Sequence, residues 1–410
     1  MNLNVPFFIA KRLAINKKQS FSAFIIKLSI AATALSVAAM IITSAFVNGF
    51  QDTVAKKVFS FWGHLRVQYY ETSKAFISEE NPIPKSMEVE NILKKNNQVK
   101  HIQPFATKSG VLEKNRNIEG ILFKGIDETY DSSTIKPFIL QGNWLNFKDS
   151  LYSKDIMISS ILANELNIKL YDTVNVFFVS ANEGESIYRP VIVKCIYKTG
   201  IEEYDKIFVV GDIKLIRRLS NWNEDEIGGY EVILKDYQQM NAVNNNLDLP
   251  VIWNSKTIQQ IYPNIFEWLQ IQDLNKNVMF IIMSIVAIIN LITCLLILVL
   301  ERIKMIGILK AVGYSNSSIQ KIFLYHASII AFIGIIIGCF VGIGLCLLQQ
   351  YTSFITLDES NYYVSVAPVK IIWGQVFAIC GAVLVICFAS LSLPVILVKK
   401  INPLQAIQFR

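Results

Sequence analysis

Histidine occurs only three times in these 410 residues, at His64, His101 and His326, and the three are far apart in sequence. Imidazole is the commonest general base and a frequent metal ligand, so little acid–base or metal chemistry can be assembled here. The phosphate loop G-x-x-x-x-G-K-[ST], the zinc pattern H-E-x-x-H and the nucleophile elbow G-x-S-x-G are all absent. These absences predict a non-catalytic chain with no cofactor or metal of its own. One stretch is suited to mechanical work instead, E-R-I-K-M-I-G-I-L-K-A-V-G-Y-S-N-S-S-I at 301–319. Ile303, Ile306, Leu309 and Val312 recur at three-residue spacing, with Arg302, Lys304 and Lys310 between them. That pattern predicts a short amphipathic helix stopped at Gly313, with Ser315 capping a second helix. An apolar stripe on a connecting segment requires a partner groove or a membrane surface. Met305, Ile306, Leu309 and Val312 are expected to enter such a groove while Arg302, Lys304 and Lys310 meet its acidic rim. Gly307 and Gly313 are expected to permit close approach and the helix stop.

The elements that must hold this stretch are membrane spans. Hydrophobic residues make up 52% of the chain and charged residues 17%, where ~25% charged is usual for soluble domains. The apolar excess is blocked rather than diffuse, in Phe21–Val47, Val278–Leu300, Ile322–Leu348 and Ile371–Val398. Each block exceeds the ~20 residues needed to cross a ~30 Å hydrocarbon layer. The only charge among them is Lys27, two turns from one end and able to extend its ammonium outward. The first block is too long for a secretory leader, whose apolar region is ~7–15 residues, and reads as a retained anchor. Asp and Glu are absent from all four blocks, which argues against an ion-coupled carrier.

Positive charge sets the orientation. Residues 1–20 carry Lys11, Arg12, Lys17 and Lys18 with no acid, 301–321 carries four basic residues against Glu301, and 399–410 carries Lys399, Lys400 and Arg410. Residues 49–275 instead hold 25 basic and 29 acidic side chains. The short basic segments belong on the cytoplasmic side, so both termini are expected there and 49–275 outside. The net charge of +7 is then membrane topology rather than a nucleic-acid footprint. Five of the six cysteines lie in the apolar blocks and only Cys195 in the large domain, so no disulfide can form within that domain.

The expected fold is therefore a membrane protein with four transmembrane α-helices and a large α+β domain between the first and second. Its segments are an interfacial N-terminal helix at 1–20 (apolar at Val5–Leu13), spans at 21–48, 276–300, 322–349 and 371–398, and the external domain at 49–275. The coupling helix and connection occupy 301–321, a short external loop 350–370, and a tail 399–410. Within 49–275, strands are expected at His64–Tyr70, Glu119–Ile126, Thr173–Val179, Pro190–Tyr197, Lys206–Val210 and Tyr230–Leu234. Helices are expected at Glu88–Asn96, Ser159–Leu166, Asp212–Leu219, Asp236–Asn245 and Lys256–Leu269, with Asp212 and Asp236 as N-caps. The alternation suggests α+β subdomains on short sheets, and the polar, proline-bearing Glu71–Ser86 reads as a linker.

The segments F-I-A-K-R-L at 8–13, V-N-G-F-Q at 47–51, I-G-I-L-K-A-V-G at 306–313 and N-P-L-Q-A-I at 402–407, with the order of parts, resemble one family. The chain is similar to permease subunits of the lipoprotein-releasing ABC transporters, the LolC/LolE type within the MacB/FtsX-like permease class. The resemblance implies a dimer with a second permease subunit and two copies of a separate LolD-like ATPase, which holds the ATP and magnesium. It implies an inner-membrane location, a periplasmic domain, and transfer of a lipoprotein to a LolA-like periplasmic carrier. The helix at 301–313 then matches the family's coupling helix. The outer end of the first span, Val47-Asn48-Gly49-Phe50, matches the region that meets the second span at a lipid-facing cavity. Met40, Thr43 and Val47 share a helical face, Phe50 follows, and Met279, Ile282 and Met283 lie at the matching depth, so these seven are expected to line it. Ser180–Pro190 sits where one paralogue carries a carrier-binding hook. Here it is short and lacks the proline-rich pattern, although Arg189-Pro190 is retained. Glu183, Glu185 and Arg189 could dock a carrier by charge, and a plain hairpin turn explains the same residues. The layout also resembles mechanotransmitting permeases that regulate a cell-wall hydrolase, and efflux permeases. The efflux type usually carries a fused ATPase, and the mechanotransmitting type a smaller external domain.

Overall fold

The computed structural model describes residues 21–71, 78–147, 151–179 and 186–395. The expected N-terminal helix at 1–20, Glu183 and Glu185, the tail 399–410 and residues 72–77 of the expected linker lie outside those residues. The chain clusters into two units. One comprises Met1–Asp52, Leu269–Thr356 and Val366–Arg410, and the other Thr53–Trp268 with Leu357–Ser365.

Helix α1, Phe21–Trp62, begins in the first unit and ends in the second. It runs past the expected boundary at 48 because a second core is waiting for it. Val54, Ala55, Val58, Phe59, Phe61 and Trp62 are all buried. Gly63 terminates the helix in the left-handed region at φ 68° and donates its N–H to the Phe59 carbonyl at 2.9 Å.

The second unit continues with β1 (Leu65–Tyr69), β2 (Ile83–Pro84), α2 (Met87–Lys95), β3 (Val99–Lys114), β4 (Asn117–Ile126), β5 (Ile139–Gly142) and β6 (Asp155–Ser159). There follow α3 (Ser160–Glu165), β7 (Thr173–Val179), β8 (Ser186–Tyr197), α4 (Glu202–Asp205), β9 (Phe208–Asp212) and α5 (Ile213–Leu219). The unit closes with β10 (Glu226–Ile227), β11 (Gly229–Leu234), α6 (Met240–Asn245), β12 (Trp253–Thr257) and α7 (Ile258–Ile261). All six expected strands are present, and the aspartate caps are as expected. Lys214 donates its N–H to Asp212 at 2.9 Å, and Gln238 to Asp236 at 3.0 Å.

Two expectations need correction. In place of several short sheets there are one two-stranded pair, β2 with β10, and a ten-stranded mixed sheet, ordered β12-β1-β11-β3-β4-β9-β6-β8-β5 with β7 paired to β3 and β8. Strand β3, which sequence patterning missed, joins it by pairing with β11, β4 and β7. Its residues Gln103–Lys108 are buried in succession and include Gln103, Thr107 and Lys108, so no alternation of apolar and polar residues marks it. The helix expected at Lys256–Leu269 begins only at Ile258, because Lys256 and Thr257 end the edge strand β12, and it is broken at Tyr262 after one helical turn opened by a Thr257/Gln260 capping box. A new helix starts at Pro263, where a missing N–H costs nothing.

The end of α1 is held by buried charge. Phe61 and Trp62 have no exposed surface. Lys124 of β4 donates to the Phe61 carbonyl and pairs with Glu231 of β11 at 2.6 Å. Its ammonium stands 4.5 Å from the Trp62 ring centre and 4.7 Å from that of Phe61. Gln103 donates to the other Glu231 oxygen at 2.9 Å. Arg66 stacks over Trp62 at 4.3 Å and pairs with Glu80 at 2.8 Å. Burial pushes the Lys124 pKa down to about 8, with Glu231 opposing the shift. The Trp62 indole donates to the hydroxyl of Tyr262, the residue before Pro263, at 2.9 Å, so both long helices are fixed to one cluster within this unit.

The first unit holds α8 (Pro263–Glu301), most of which belongs to it, α9 (Ile303–Ala311), α10 (Asn316–Thr352) and α12 (Trp373–Val395). A short α11 (Glu359–Tyr362) lies between the last two, in the second unit. Ala23–Trp62, Pro263–Glu301 and Asn316–Thr352 are long and apolar enough to cross a membrane. Helix α12 is a shorter apolar helix inside the fourth expected block. Glycine sets the α1–α10 packing. Added Cβ atoms on Gly334, Gly338 and Gly342 would meet Thr33 Cβ at 2.8 Å, the Ala34 carbonyl oxygen at 2.6 Å and Ala38 Cα at 3.1 Å. Spacing of four along α10 thus lets two backbones approach, the recurring arrangement of small residues in membrane helices.

Candidate coupling helix and apolar groove

Helix α9 forms where the sequence places it. Its end is a Schellman motif, in which Gly313 donates to the Lys310 carbonyl at 3.0 Å and Tyr314 to Leu309 at 2.9 Å. Gly313 adopts φ 93°, which a β-carbon would oppose. Ser315 caps α10, accepting from the Ser318 N–H at 3.2 Å.

The face of α9 differs from the expectation. Ile306 has no exposed surface and lies in the core cluster with Leu298, Val299, Ile319 and Phe323. Gly307 is buried, and Met305 and Leu309 pack against the same cluster. The stripe therefore seals α9 onto α8 and α10, and of its four expected members only Val312 is exposed. The physical reason is rotational. Each three-residue step falls about 60° short of a turn, so Val312 arrives roughly 180° from Ile303. The outward face combines Lys304, Ile308, Ala311 and Val312. Ile308, 57% exposed, and Val312, 76% exposed, are its apolar members. Ile308 was not marked by the three-residue pattern, whereas four-residue spacing from Lys304 through Ile308 to Val312 would have marked it. Arg302 and Lys310 are half-buried.

Helices α1, α8 and α12 wall a groove of about 490 Å³. Met40 contributes from α1, Phe280, Ile281, Ser284 and Ile285 from α8, and chiefly Ala378, Ala382 and Val383 from α12. Apart from the Ser284 hydroxyl its side chains are apolar. Of the seven residues expected there, only Met40 is on the wall. Thr43, Val47, Phe50, Met279, Ile282 and Met283 are not, and Met283, half-buried, packs against the core cluster. The α8 residues 280, 281, 284 and 285 form one flank, while 279, 282 and 283 point roughly opposite at about 100° per residue. A span that is apolar all round does not reveal which flank faces a cavity.

Polar side chains hold the groove's helices in register. Asn290 of α8 donates to the Ser29 carbonyl of α1 at 3.1 Å. Ser44 and Asn48 of α1 donate to Gln375 of α12 at 2.7 and 2.5 Å. Gln51 donates to Asp273 at 2.8 Å, and Lys370 pairs with Asp52 at 2.6 Å. Isolated Asn290 and Gln375 inside apolar runs were the available signal. In the other unit, Arg189 sits on β8 opposite Val176 of β7 and donates to the Tyr188 carbonyl at 2.9 Å, so it belongs to a regular hairpin ladder. Among the described residues, no group of three His, Cys, Asp or Glu side chains could hold a metal ion.

Comparison with known proteins follows this architecture. Residues 28–248 match the MacB-like periplasmic core domain, over half of the chain, and 277–403 match the FtsX-like permease C-terminal domain. The chain is 25% identical to the lipoprotein-releasing system transmembrane protein LolE of Haemophilus influenzae, covering 99% of both chains. It is 26% identical to LolC of Buchnera aphidicola subsp. Acyrthosiphon pisum over 90% of both, and 22% identical to LolC of H. influenzae over 100% of both. With its apolar helices and these two domains in this order, the chain belongs to the MacB/FtsX-like permease family, membrane subunits of ABC transporters in the inner membrane.

Proposed function

We propose that this permease extracts lipoproteins from the inner membrane and passes them to a periplasmic carrier, driven by a separate ATPase. The apolar groove of α1, α8 and α12 carries the reading, since about 490 Å³ of nearly pure hydrocarbon wall suits acyl chains and gives a polar solute nothing to bind. Similarity to LolE and LolC along the whole chain supports it. Four spans, cytoplasmic termini and a periplasmic domain follow from the apolar blocks and the positive-inside bias. A second permease subunit completes the complex, and the β7–β8 hairpin with Arg189 offers the carrier its meeting point. Depleting the protein should leave mature lipoproteins in the inner membrane. Photo-crosslinkers at Ile285 and Ala382 should capture their acyl chains, whereas one at Ile282 should not. Correct lipoprotein sorting in depleted cells rejects the reading.

The ATPase contact is the outward face of α9, with Ile308 and Val312 entering its groove and Lys304, Arg302 and Lys310 at the rim. Each apolar side chain of this size contributes ~1.5–3 kcal/mol on burial, so Ile308→Asp or Val312→Asp should weaken ATPase association by roughly tenfold or more. Ile306→Asp should instead destabilise the permease itself, because it places a charge in the helix core. Co-purification from membranes separates the two outcomes. Normal ATPase recovery with both outward-face variants would remove this contact.

A further inference from the structure

The chain passes between the two units four times, at 52–53, 268–269, 356–357 and 365–366. The first two crossings lie within the continuous helices α1 and α8. The other two bracket Leu357–Ser365, a lobe between α10 and α12 that belongs to the large domain. Nothing in its length requires that, since a connection this short could close on itself beside its own helices.

Specific contacts draw it in. Within the lobe, Leu357 donates its N–H to the Ser365 carbonyl at 2.9 Å, closing a loop. The Glu359 carboxylate pairs with Lys198 at 2.5 Å and with Lys57 of α1 at 3.4 Å. Lys57 also donates to the Tyr363 carbonyl at 2.6 Å. The Tyr363 ring packs edge-on against Trp268 with centres 5.7 Å apart. The receiving surface is shaped for this contact. Gly200, at φ 74°, has no β-carbon where one would stand 2.3 Å from the nearer Glu359 oxygen. Its N–H donates to buried Asp205 at 2.9 Å, and Thr199 donates its hydroxyl to the same carboxylate at 2.8 Å. The floor is thus built by residues of the domain alone. The pair is also partly shielded, with the Lys57 and Glu359 side chains 12% and 24% exposed.

We propose that Leu357–Ser365 is a latch tying the α10–α12 pair to the large domain, with Glu359 as its positioning residue. Movement of those two helices then reaches the domain by a route separate from α1 and α8. The latch concerns linkage only, so it stands or falls independently of the cargo. The test uses the full chain in nanodiscs with genetically encoded spin labels at Tyr351, at the end of α10, and at Val251, in the domain. Glu359→Gln should broaden the distance distribution between them by about twofold, as expected when a restraint between units is lost. Lys198→Gln tests the same pair should the first variant fail to insert. Glu359→Lys with Lys198→Glu should narrow the distribution relative to Glu359→Lys alone. Unchanged width in Glu359→Gln or Lys198→Gln, or no narrowing in the reversed pair, overturns the latch.

Discussion

Lys124→Met should cost the large domain about 3–5 kcal/mol of stability, more than most substitutions in it. Lys124 and Glu231 are essentially without exposed side-chain surface and lie 2.6 Å apart. Removing the ammonium takes from the buried Glu231 carboxylate its lysine at 2.6 Å, leaving Gln103 as a neutral donor and Arg66 at the facing position of β1, and deprives the Phe61 carbonyl of the same lysine. An uncompensated buried charge is far more costly than an absent pair. Adding Glu231→Met to Lys124→Met should therefore recover a large part of the loss. The position also matters mechanically, because Phe61 and Trp62 end the helix that enters the domain from the membrane unit. Chemical unfolding of the detergent-solubilised chain, followed by tryptophan fluorescence near Trp62, gives the ranking. A single variant as stable as the double would show that the pair does not anchor the helix.

Gly338→Leu should separate α1 from α10, while Gly344→Leu on the same helix should be tolerated. A β-carbon at 338 meets the Ala34 carbonyl oxygen at 2.6 Å and Val37 Cβ at 2.8 Å, and backbone cannot rotate aside as a flexible side chain can. Nothing lies within 4 Å of the same atom at 344. Overpacking commonly costs 1–3 kcal/mol in well-packed cores, so about 3 kcal/mol or loss of assembly is expected when the obstacle is main chain. Thermal stability measured by size-exclusion chromatography of the two variants compares them directly. Equal midpoints would contradict close glycine-mediated packing.

Much of this molecule is legible from the chain alone. The apolar blocks, the charge bias, the strands around Thr173–Val179 and Tyr230–Leu234, the aspartate caps, and the helix stop at Gly313 with its Ser315 restart all depend on local chemistry. A cap needs a side-chain oxygen within a few residues, and a left-handed helix end needs glycine, so neighbours in sequence suffice. The seam Gly334, Gly338 and Gly342 was equally readable from its four-residue spacing, and Asn290 and Gln375 from their isolation in apolar runs.

Tertiary structure decided how far elements extend and which way they face. Helix α1 continues to Trp62 because the domain buries its last turns, and β3 is a strand because neighbours on both edges complete its hydrogen bonds. Ile306 faces inward and Ile308 outward because α8 and α10 occupy one side of α9, and Phe280 rather than Met279 meets the groove for a similar reason. Hydrophobic burial is non-directional, so a span or short helix with apolar residues on several faces contains no local preference among them. Only the elements packed against it choose, and they are brought there from distant parts of the chain, as Lys57 and Glu359 are across 302 positions.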